Sequence, residues 1–330
     1  MIAKADLIVQ LLKLVDEVWQ SGQVDAHRRG APKVYSEQSM FKVNLVNVLK
    51  HLWSHRSVWR VLTTYPALQQ ACGLKRVPDR RTLDRRLAKL APLLEEQIEG
   101  LGLSLVLEEI TDGQSAAGDG SVLEACGQSW DRTDQKANYL PPKSHGVDTQ
   151  AAWLKSGYHG WTYGYKMHVV SSIAPTTVRA VLAARVTSND SENYVMRELL
   201  TRLPASLESV WLDKSYDDKH LIQVGAQRNL AVLAPLRQAI GKTTSLERRQ
   251  RDAYLHTPQG RARYQRRAAS IEPFFGTLKD LFPLQHLPVR GLAPVATLVL
   301  GTLYTWNLLI LYNFISLRPL GAFKSILEVL

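Results

Sequence analysis

The chain has 330 residues, of which 45% are hydrophobic, and its formal net charge is +11. This composition excludes a disordered chain, and the length is enough for two or three globular domains. So positive a charge indicates a polyanionic partner, either nucleic acid or an anionic membrane surface, unless it serves solubility alone. Cys72 and Cys126 lie far apart and point to neither a disulfide framework nor a zinc site, which suits a reducing cytosol.

The N-terminal part has the pattern of consecutive helices. Ser36 and Asp79 are placed to cap two of them. The inner face of the helix after Asp79 carries Leu83, Leu87, Leu90 and Leu94. Arg81 and Arg85 lie on another face, as in a helix-turn-helix module that presents its last helix to DNA, or else as an ordinary solvated face. We interpret residues 1–110 as a helical DNA-binding domain in which these two arginines contact DNA.

From about residue 111 the pattern changes to strands. A first strand carries Asp119, and a short apolar run, S-V-W-L-D, ends at Asp213 like a buried strand. Between them the sequence predicts strands at 163–172 and 178–186 and a helix at 191–203, and after them a capping Asp217, a helix and a strand at 230–233. Polar excursions interrupt the order at about 126–160 and 238–260.

The closing helix covers the run from Tyr264 to Lys279. Its apolar stripe consists of Ile271, Phe274, Phe275, Leu278 and Phe282. Glu272 and Lys279 share a neighbouring stripe at the edge of this buried face. A carboxylate there is costly unless a cation binds it, so Glu272 either serves a site or is half solvated and paired with Arg or Lys.

The last apolar segment, residues 292–317, has no charged side chain before Arg318. Its length approaches that of a membrane span, which keeps a membrane-associated basic protein as one hypothesis. A helix that is apolar all round is also what a large domain buries at its centre. We therefore predict that residues 291–330 form a C-terminal helix packed on the core, with no membrane contact.

Residues 111–290 thus have the element order of a ribonuclease H-like core, an α/β fold with a mixed five-stranded sheet flanked by helices. Such cores place acids on the first strand, after the fourth strand and on a later helix, and here these are Asp119, Asp213 and Glu272. Three carboxylates under two divalent ions suit a phosphodiester that gains negative charge as it reacts. Oxygen ligands favour Mg²⁺, for which Mn²⁺ would substitute.

Several motifs carry a family resemblance. G-D-G-S-V-L-E-A, H-G-V-D-T-Q-A-A-W, Y-G-Y-K-M-H, T-S-N-D-S-E-N and L-D-K-S-Y-D follow one another before the closing helix. Together they resemble the DDE-type transposases of bacterial insertion sequences, in the group with a Tyr-Arg-Glu-Lys signature, over nearly the whole chain. Ser215 stands where the family's second-Asp motif has glycine.

The resemblance implies that Asp119, Asp213 and Glu272 are the catalytic, metal-binding residues. The resemblance also implies that Lys279, Tyr264 and Arg267 contact DNA. Lys214, which flanks Asp213, and Arg266 are further candidates for DNA contact. The implied function is binding of the terminal inverted repeats, hydrolysis at the ends and joining of the 3′-hydroxyl to target DNA. A homodimer holding two ends, in the bacterial cytoplasm at the nucleoid, is the implied form.

Two alternatives stay open in the sequence. Four residues separate Arg267 from Glu272 where the family has three, so either a π-bulge absorbs the extra residue or Arg267 contacts DNA away from the metals. The alternative function is a catalytically inactive DNA-binding regulator derived from such an element.

Overall fold

The computed structural model describes residues 4–19, 34–142, 144–156, 160–173, 178–237 and 245–329. The chain forms two compact units. The first unit combines Met1–Leu101 with the C-terminal segment Ala293–Leu330, and the second is the continuous stretch Gly102–Leu292.

In its described part, the first unit is built of helices. These are α1 (Lys4–Val18), α2 (Glu37–Leu49), α3 (His55–Thr64), α4 (Pro66–Ala71), α5 (Arg80–Leu87), the start of α6 (Ala91–Leu107), α12 (Leu292–Ile315) and α13 (Lys324–Leu327). The predicted caps of α2 and α5 are confirmed. The side chains of Ser36 and Asp79 accept hydrogen bonds from the amides of Ser39 and Thr82, both at 3.0 Å.

The leucine stripe predicted for one helix is divided between α5 and α6. The chain leaves the helix after Leu87 and resumes it at Ala91. Pro92 explains the break, because proline lacks the amide that a helix interior needs but is tolerated in a first turn. All four leucines are nevertheless buried, while Arg81 and Arg85 are exposed on α5.

Helix α12 lies at the centre of the helical unit. Among the described residues it is the helix long and apolar enough to cross a membrane, but 89% of its most apolar window is buried inside the protein. Asn44 donates to the Thr297 carbonyl at 3.2 Å, and the rings of Phe41 and Tyr304 meet at 4.7 Å. The sequence placed this helix in a segment of its own on the core, whereas the structure groups it with the N-terminal helices.

The close approach of α2 to α12 predicts a difference between two helical glycines. A Cβ on Gly301 would lie 2.3 Å from Nδ2 of Asn44, whereas a Cβ on Gly276, in α11, would meet nothing within 4 Å. We expect Gly301→Ala to destabilise the protein by about 1–3 kcal/mol, because Asn44 must shift from its buried hydrogen bond. Gly276→Ala should leave stability unchanged or raise it by up to about 1 kcal/mol. Thermal unfolding followed by circular dichroism measures both, and equal shifts would contradict the packing described.

The second unit contains a six-stranded sheet and the helices around it. Its strands are β1 (Ser115–Glu124), β2 (Ala152–Ser156), β3 (Gly160–Ser172), β4 (Val181–Thr187), β5 (Ser209–Trp211) and β6 (Ala231–Leu233). Its helices, besides the end of α6, are α7 (Arg132–Lys136), α8 (Glu192–Leu200), α9 (Lys219–Gln227), α10 (Leu246–His256) and α11 (Pro258–Leu281).

The strand order is β2-β3-β1-β5-β6, with β4 also paired to β3. β1, β3 and β4 are antiparallel, and β5 and β6 continue the sheet parallel to β1. This mixed sheet flanked by helices is ribonuclease H-like, as predicted. The sequence missed one strand: β2 lies inside the predicted excursion at 126–160 and pairs with the start of β3.

The second excursion and one predicted cap also differ from expectation. Residues 238–244 lie outside the described residues, and the rest of the stretch to 260 forms α10 and the start of α11. Asp218 caps α9 by accepting from the Leu221 amide at 2.9 Å. Asp217, the predicted cap, is instead buried and bound by Arg248 and Arg251 of α10. A carboxylate that meets two guanidiniums forms stronger, charge-assisted bonds than a helix amide offers.

Candidate active site

Asp119 and Asp213 occupy neighbouring positions at the centre of the sheet. In the parallel pair of β1 and β5, Ala117 lies beside Trp211. Asp119 and Asp213 are each two residues further along the chain, and side chains two residues apart on a strand point to the same face. Asp213 lies just beyond β5, where it caps the 3-10 turn Lys214–Tyr216. The strand register therefore brings the two predicted acids side by side.

The Asp119 carboxylate is 25% exposed and already has a cationic partner. Arg267 donates from Nη2 to Oδ2 at 2.7 Å, and the Gly120 amide donates to Oδ1 at 2.8 Å. Burial raises the pKa of Asp119 above its usual range, and the negative charges of Asp213 and Glu192 add to this effect. Arg267 and the Gly120 amide act against it. The site is thus a concentration of negative charge that Arg267 compensates in part.

Helix α11 presents a buried face to the sheet and a rim beside it. The whole predicted apolar stripe is buried, including Phe282 just after the helix. Glu272 is exposed at the rim, and Tyr264 and Lys279 are half-buried there. The helix is α-helical throughout despite Pro273 in its interior, so no π-bulge absorbs the extra residue before Glu272.

Arg267 therefore lies on a different side of α11 from Glu272. Glu272 is five positions after Arg267, and five steps along an ideal helix turn the side chain by about 140°. Arg267 is buried, with 6% of its side chain exposed, and it binds Asp119. The structure thus places Arg267 inside the protein as the partner of the first aspartate, whereas the sequence assigned it to the DNA-contacting surface. The extra residue is the reason, because it turns Arg267 towards the sheet.

Tyr264 connects the three predicted acids. Burial raises the pKa of its hydroxyl, Arg267 acts against this rise, and the charges of Asp213, Asp119 and Glu272 add to it. The charges of all three carboxylates therefore act on one phenol at the rim of α11.

The other predicted DNA-contacting residues occupy different environments. Lys279 donates from Nζ to the Val122 carbonyl at 2.9 Å, and burial lowers its pKa. Lys214 and Arg266 are exposed. Lys279 thus holds α11 against β1, while Lys214, which follows Asp213 in the chain, and Arg266 are open to solvent.

The arginine-rich stretch from 237 to 267 is used largely inside the protein. Arg248 and Arg251 bind the buried Asp217, and Arg237 donates from Nε to the Lys214 carbonyl at 3.3 Å. Arg267 of the same stretch binds Asp119. Four of its arginines thus fix α10, α11 or the turn after β5 to the rest of the unit. These four arginines are therefore committed to contacts within the protein.

Several residues near the acids had no definite role in the sequence. Glu192, at the first position of α8, forms an ion pair with Lys166 of β3. Tyr216 is buried in the turn after Asp213, and burial, followed by the charges of Asp119 and Glu192, raises its pKa. His168 is buried with its pKa lowered to about 3 by burial, so it is neutral at pH 7 and packs within the sheet. Glu192 lies in the T-S-N-D-S-E-N motif of the family resemblance, to which the sequence assigned no catalytic role.

Asp148, which the resemblance singled out, has a structural role. Its Oδ2 accepts hydrogen bonds from the Tyr165 hydroxyl at 2.9 Å and from the Gly291 amide at 2.8 Å. Its backbone carbonyl accepts from the Tyr163 hydroxyl at 2.6 Å. This residue therefore ties the first excursion to β3 and to the segment after α11.

Residues 115–308 match the family model described as the transposase DDE domain. The match spans more than half of the chain, and the protein belongs to this family of transposases. It is therefore a DNA-cleaving and DNA-joining enzyme by family, as the sequence resemblance predicted.

Solved transposase structures are also similar to the chain. The piggyBac transposase synaptic complex with hairpin DNA is 9% identical with a TM-score of 0.44, over 99% of this chain and 79% of that one. A pre-cleavage Mos1 transpososome is 10% identical with a TM-score of 0.20, over 89% and 83%. A Mos1 paired-end complex with the left transposon end is 12% identical with a TM-score of 0.22, over 92% and 97%. No curated protein matches the sequence. The assignment rests on the family match.

The Asp119–Arg267 pair predicts a pH-dependent loss of stability. We expect Arg267→Leu, measured in EDTA, to destabilise the protein by about 3 kcal/mol at pH 8 because it leaves a largely buried carboxylate without its cation. The pKa of Asp119 is already raised in the folded protein and should rise further. An acid whose folded pKa is raised loses its stabilising contribution as pH rises through that pKa, so the loss should be smaller at pH 4.

The control for this prediction is the neighbouring, exposed Arg266. Arg266→Leu should change the unfolding midpoint little at either pH. Equal effects of the two variants, or a larger loss for Arg267→Leu at pH 4 than at pH 8, would show that Arg267 does not compensate Asp119.

Proposed function

We propose that the protein binds the terminal inverted repeats of an insertion sequence, hydrolyses the phosphodiester at the ends and joins the freed 3′-hydroxyl to target DNA. The observation that carries this proposal is the register of β1 and β5, which brings Asp119 and Asp213 side by side within a domain that matches the transposase DDE family.

The donor set suits a hard divalent cation. The predicted ligands are all carboxylate oxygens, which Mg²⁺ prefers and Mn²⁺ also accepts. Bound divalent ions, two in our proposal, would activate the attacking oxygen and stabilise the leaving oxygen. Within the part of the chain that the structure describes, no three acidic, histidine or cysteine side chains lie close enough together to hold one ion. Asp119 would therefore have to exchange Arg267 for the cation.

The residues of the chain divide the remaining tasks. Asp119, Asp213 and Glu272 would hold the metal, and the exposed Lys214 and Arg266 would bind phosphates beside them. Tyr264, half-buried between the acids and the rim of α11, would pack against the transposon end. Lys279, fixed to the β1 backbone, would offer its remaining hydrogens to a DNA phosphate at the same rim.

The helical unit would supply recognition of the ends. Arg81 and Arg85 are exposed on α5, a short helix whose other face is buried through Leu83 and Leu87. Cations that neutralise phosphates make binding steeply dependent on salt. Because two ends must be held together, we propose a homodimer in the active complex, acting in the bacterial cytoplasm at the nucleoid.

We expect Asp119→Asn, Asp213→Asn and Glu272→Gln each to abolish metal-dependent cleavage while end binding is largely retained. The carboxylates would bind metal, and they contribute no positive charge to DNA binding. Nicking of a plasmid that carries the element's ends, and gel-shift binding of an end duplex, measure the two properties. Asp280→Asn, which removes another exposed acid of α11, is the control and should cleave normally. Loss of binding in all three variants would instead indicate a structural role.

A second candidate function is a DNA-binding regulator without catalysis. The observation that favours it is the occupation of Asp119 by Arg267, which competes with any metal. Absence of nicking by the wild-type protein in both Mg²⁺ and Mn²⁺, together with normal end binding, would select this alternative.

A further inference from the structure

The acidic site contains a carboxylate besides Asp119, Asp213 and Glu272. Glu192 begins α8, the helix that follows β4, and its side chain is 37% exposed. Its negative charge contributes to the raised pKa of Asp119. It also contributes to the raised pKa of Tyr216, which is buried in the turn that Asp213 caps. The charge of Glu192 therefore acts on Asp119 itself and on Tyr216, in the turn that Asp213 caps.

The cation that pairs with Glu192 reaches it across the strand that carries Asp119. Lys166 is 11% exposed and forms an ion pair with Glu192. A Cβ on Gly120, the residue after Asp119, would lie 2.5 Å from Cε of Lys166. The lysine stem thus runs over the β1 backbone at the residue that follows the first aspartate, and any side chain at position 120 would displace it.

A buried polar group between these residues has no partner. The Tyr216 hydroxyl finds no hydrogen-bond acceptor or donor of acceptable geometry among the described residues. Glu192 approaches it without reaching such geometry, and Asp119 lies close enough to raise its pKa. A fully buried hydroxyl without a partner is costly, so this is a place where a further ligand or its hydration shell would be stabilised.

The charges at this place do not balance. The charges of Asp213 and Glu192 both act on Asp119. Among the described residues, the side chains that form ion pairs with these acids are Arg267 on Asp119 and Lys166 on Glu192, and both cations are largely buried. Three carboxylates thus have two paired cations. Carboxylates gathered in this way suit a hard divalent ion that takes oxygen ligands.

We propose that Glu192 is a fourth carboxylate of the active site, which binds a divalent cation together with Asp119, and that Lys166 is its counter-ion in the metal-free protein. This inference rests on the proposed function of the Asp119 site. It assigns the Lys166–Glu192 pair a defined purpose: the ammonium holds Glu192 in place until a cation displaces it.

The same helix provides a matched control. Glu198, also on α8, forms an ion pair with Arg185 of β4, the counterpart of Glu192 with Lys166. Glu198 is not among the charges that shift the pKa of Asp119. Glu192→Gln and Glu198→Gln therefore remove the same charge from the same helix and break equivalent ion pairs, but only the first lies in the proposed site.

The test is Mn²⁺ binding by the full-length, DNA-free protein, measured from the electron paramagnetic resonance signal of free Mn²⁺. We expect Glu192→Gln to weaken binding by about ten- to a hundredfold, as loss of a group that holds a metal typically does. Asp119→Asn should weaken it comparably, and Glu198→Gln should stay within about twofold of wild type by the same reasoning. Lys166→Met should bind Mn²⁺ at least as tightly as wild type, because the competing ammonium is gone.

The double variant Lys166→Met/Glu192→Gln controls for misfolding. It removes both charges of the pair, so neither charge is left without its partner. It should remain folded by circular dichroism and bind Mn²⁺ as weakly as Glu192→Gln alone.

If Asp119→Asn loses Mn²⁺ while Glu192→Gln matches Glu198→Gln, the role of Glu192 is refuted and the proposed function stands. If Lys166→Met loses Mn²⁺ as Glu192→Gln does, the pair is structural and the inference fails. If the wild type binds no Mn²⁺, both the inference and the proposed metal site fail.

Discussion

The ion pair between Asp119 and Arg267 joins the first strand of the sheet to the last helix of its unit across 148 residues of sequence. A largely buried carboxylate without a cation costs several kcal/mol, on the order of 3–5 in measured cases. A phosphoryl-transfer site nevertheless needs acids at its centre. The protein reconciles these demands by supplying its own cations, Arg267 to Asp119 and Lys166 to Glu192. Both cations come from elements that pack against β1, Arg267 from α11 and Lys166 from β3.

Because buried acids are paired with cations of the protein itself, the net charge of +11 does not translate directly into a DNA-binding surface. Arg248 and Arg251 are committed to Asp217, whose side chain is fully buried. They fasten α10 to the turn that Asp213 caps, and so help fix the position of the second aspartate. Among the cations that remain exposed are Lys214, which follows Asp213 in the chain, and Arg266.

The architecture and much of the site could be read from the sequence because they depend on local patterns. The apolar stripe of α11, the caps Ser36 and Asp79 and the run that ends at Asp213 are set by neighbours a few residues away. Pairing of β1 with β5 then follows from the ribonuclease H-like order, and it brings the two aspartates together. Strand β2 was missed because a five-residue strand inside a polar stretch carries too little periodicity.

By itself, then, the sequence determined the fold class and the family, and it supplied the acids that we propose for catalysis. The tertiary structure alone decided that Arg267 faces Asp119, that Lys166 crosses Gly120 to reach Glu192, and that α12 belongs with the N-terminal helices. The physical reason is that the partner of a buried charge, or of a helix that is apolar all round, is distant in sequence. Which residue it is depends on how the folded elements pack together. Many arginines and many apolar surfaces in this chain are equivalent as sequence, and only their three-dimensional neighbours distinguish them.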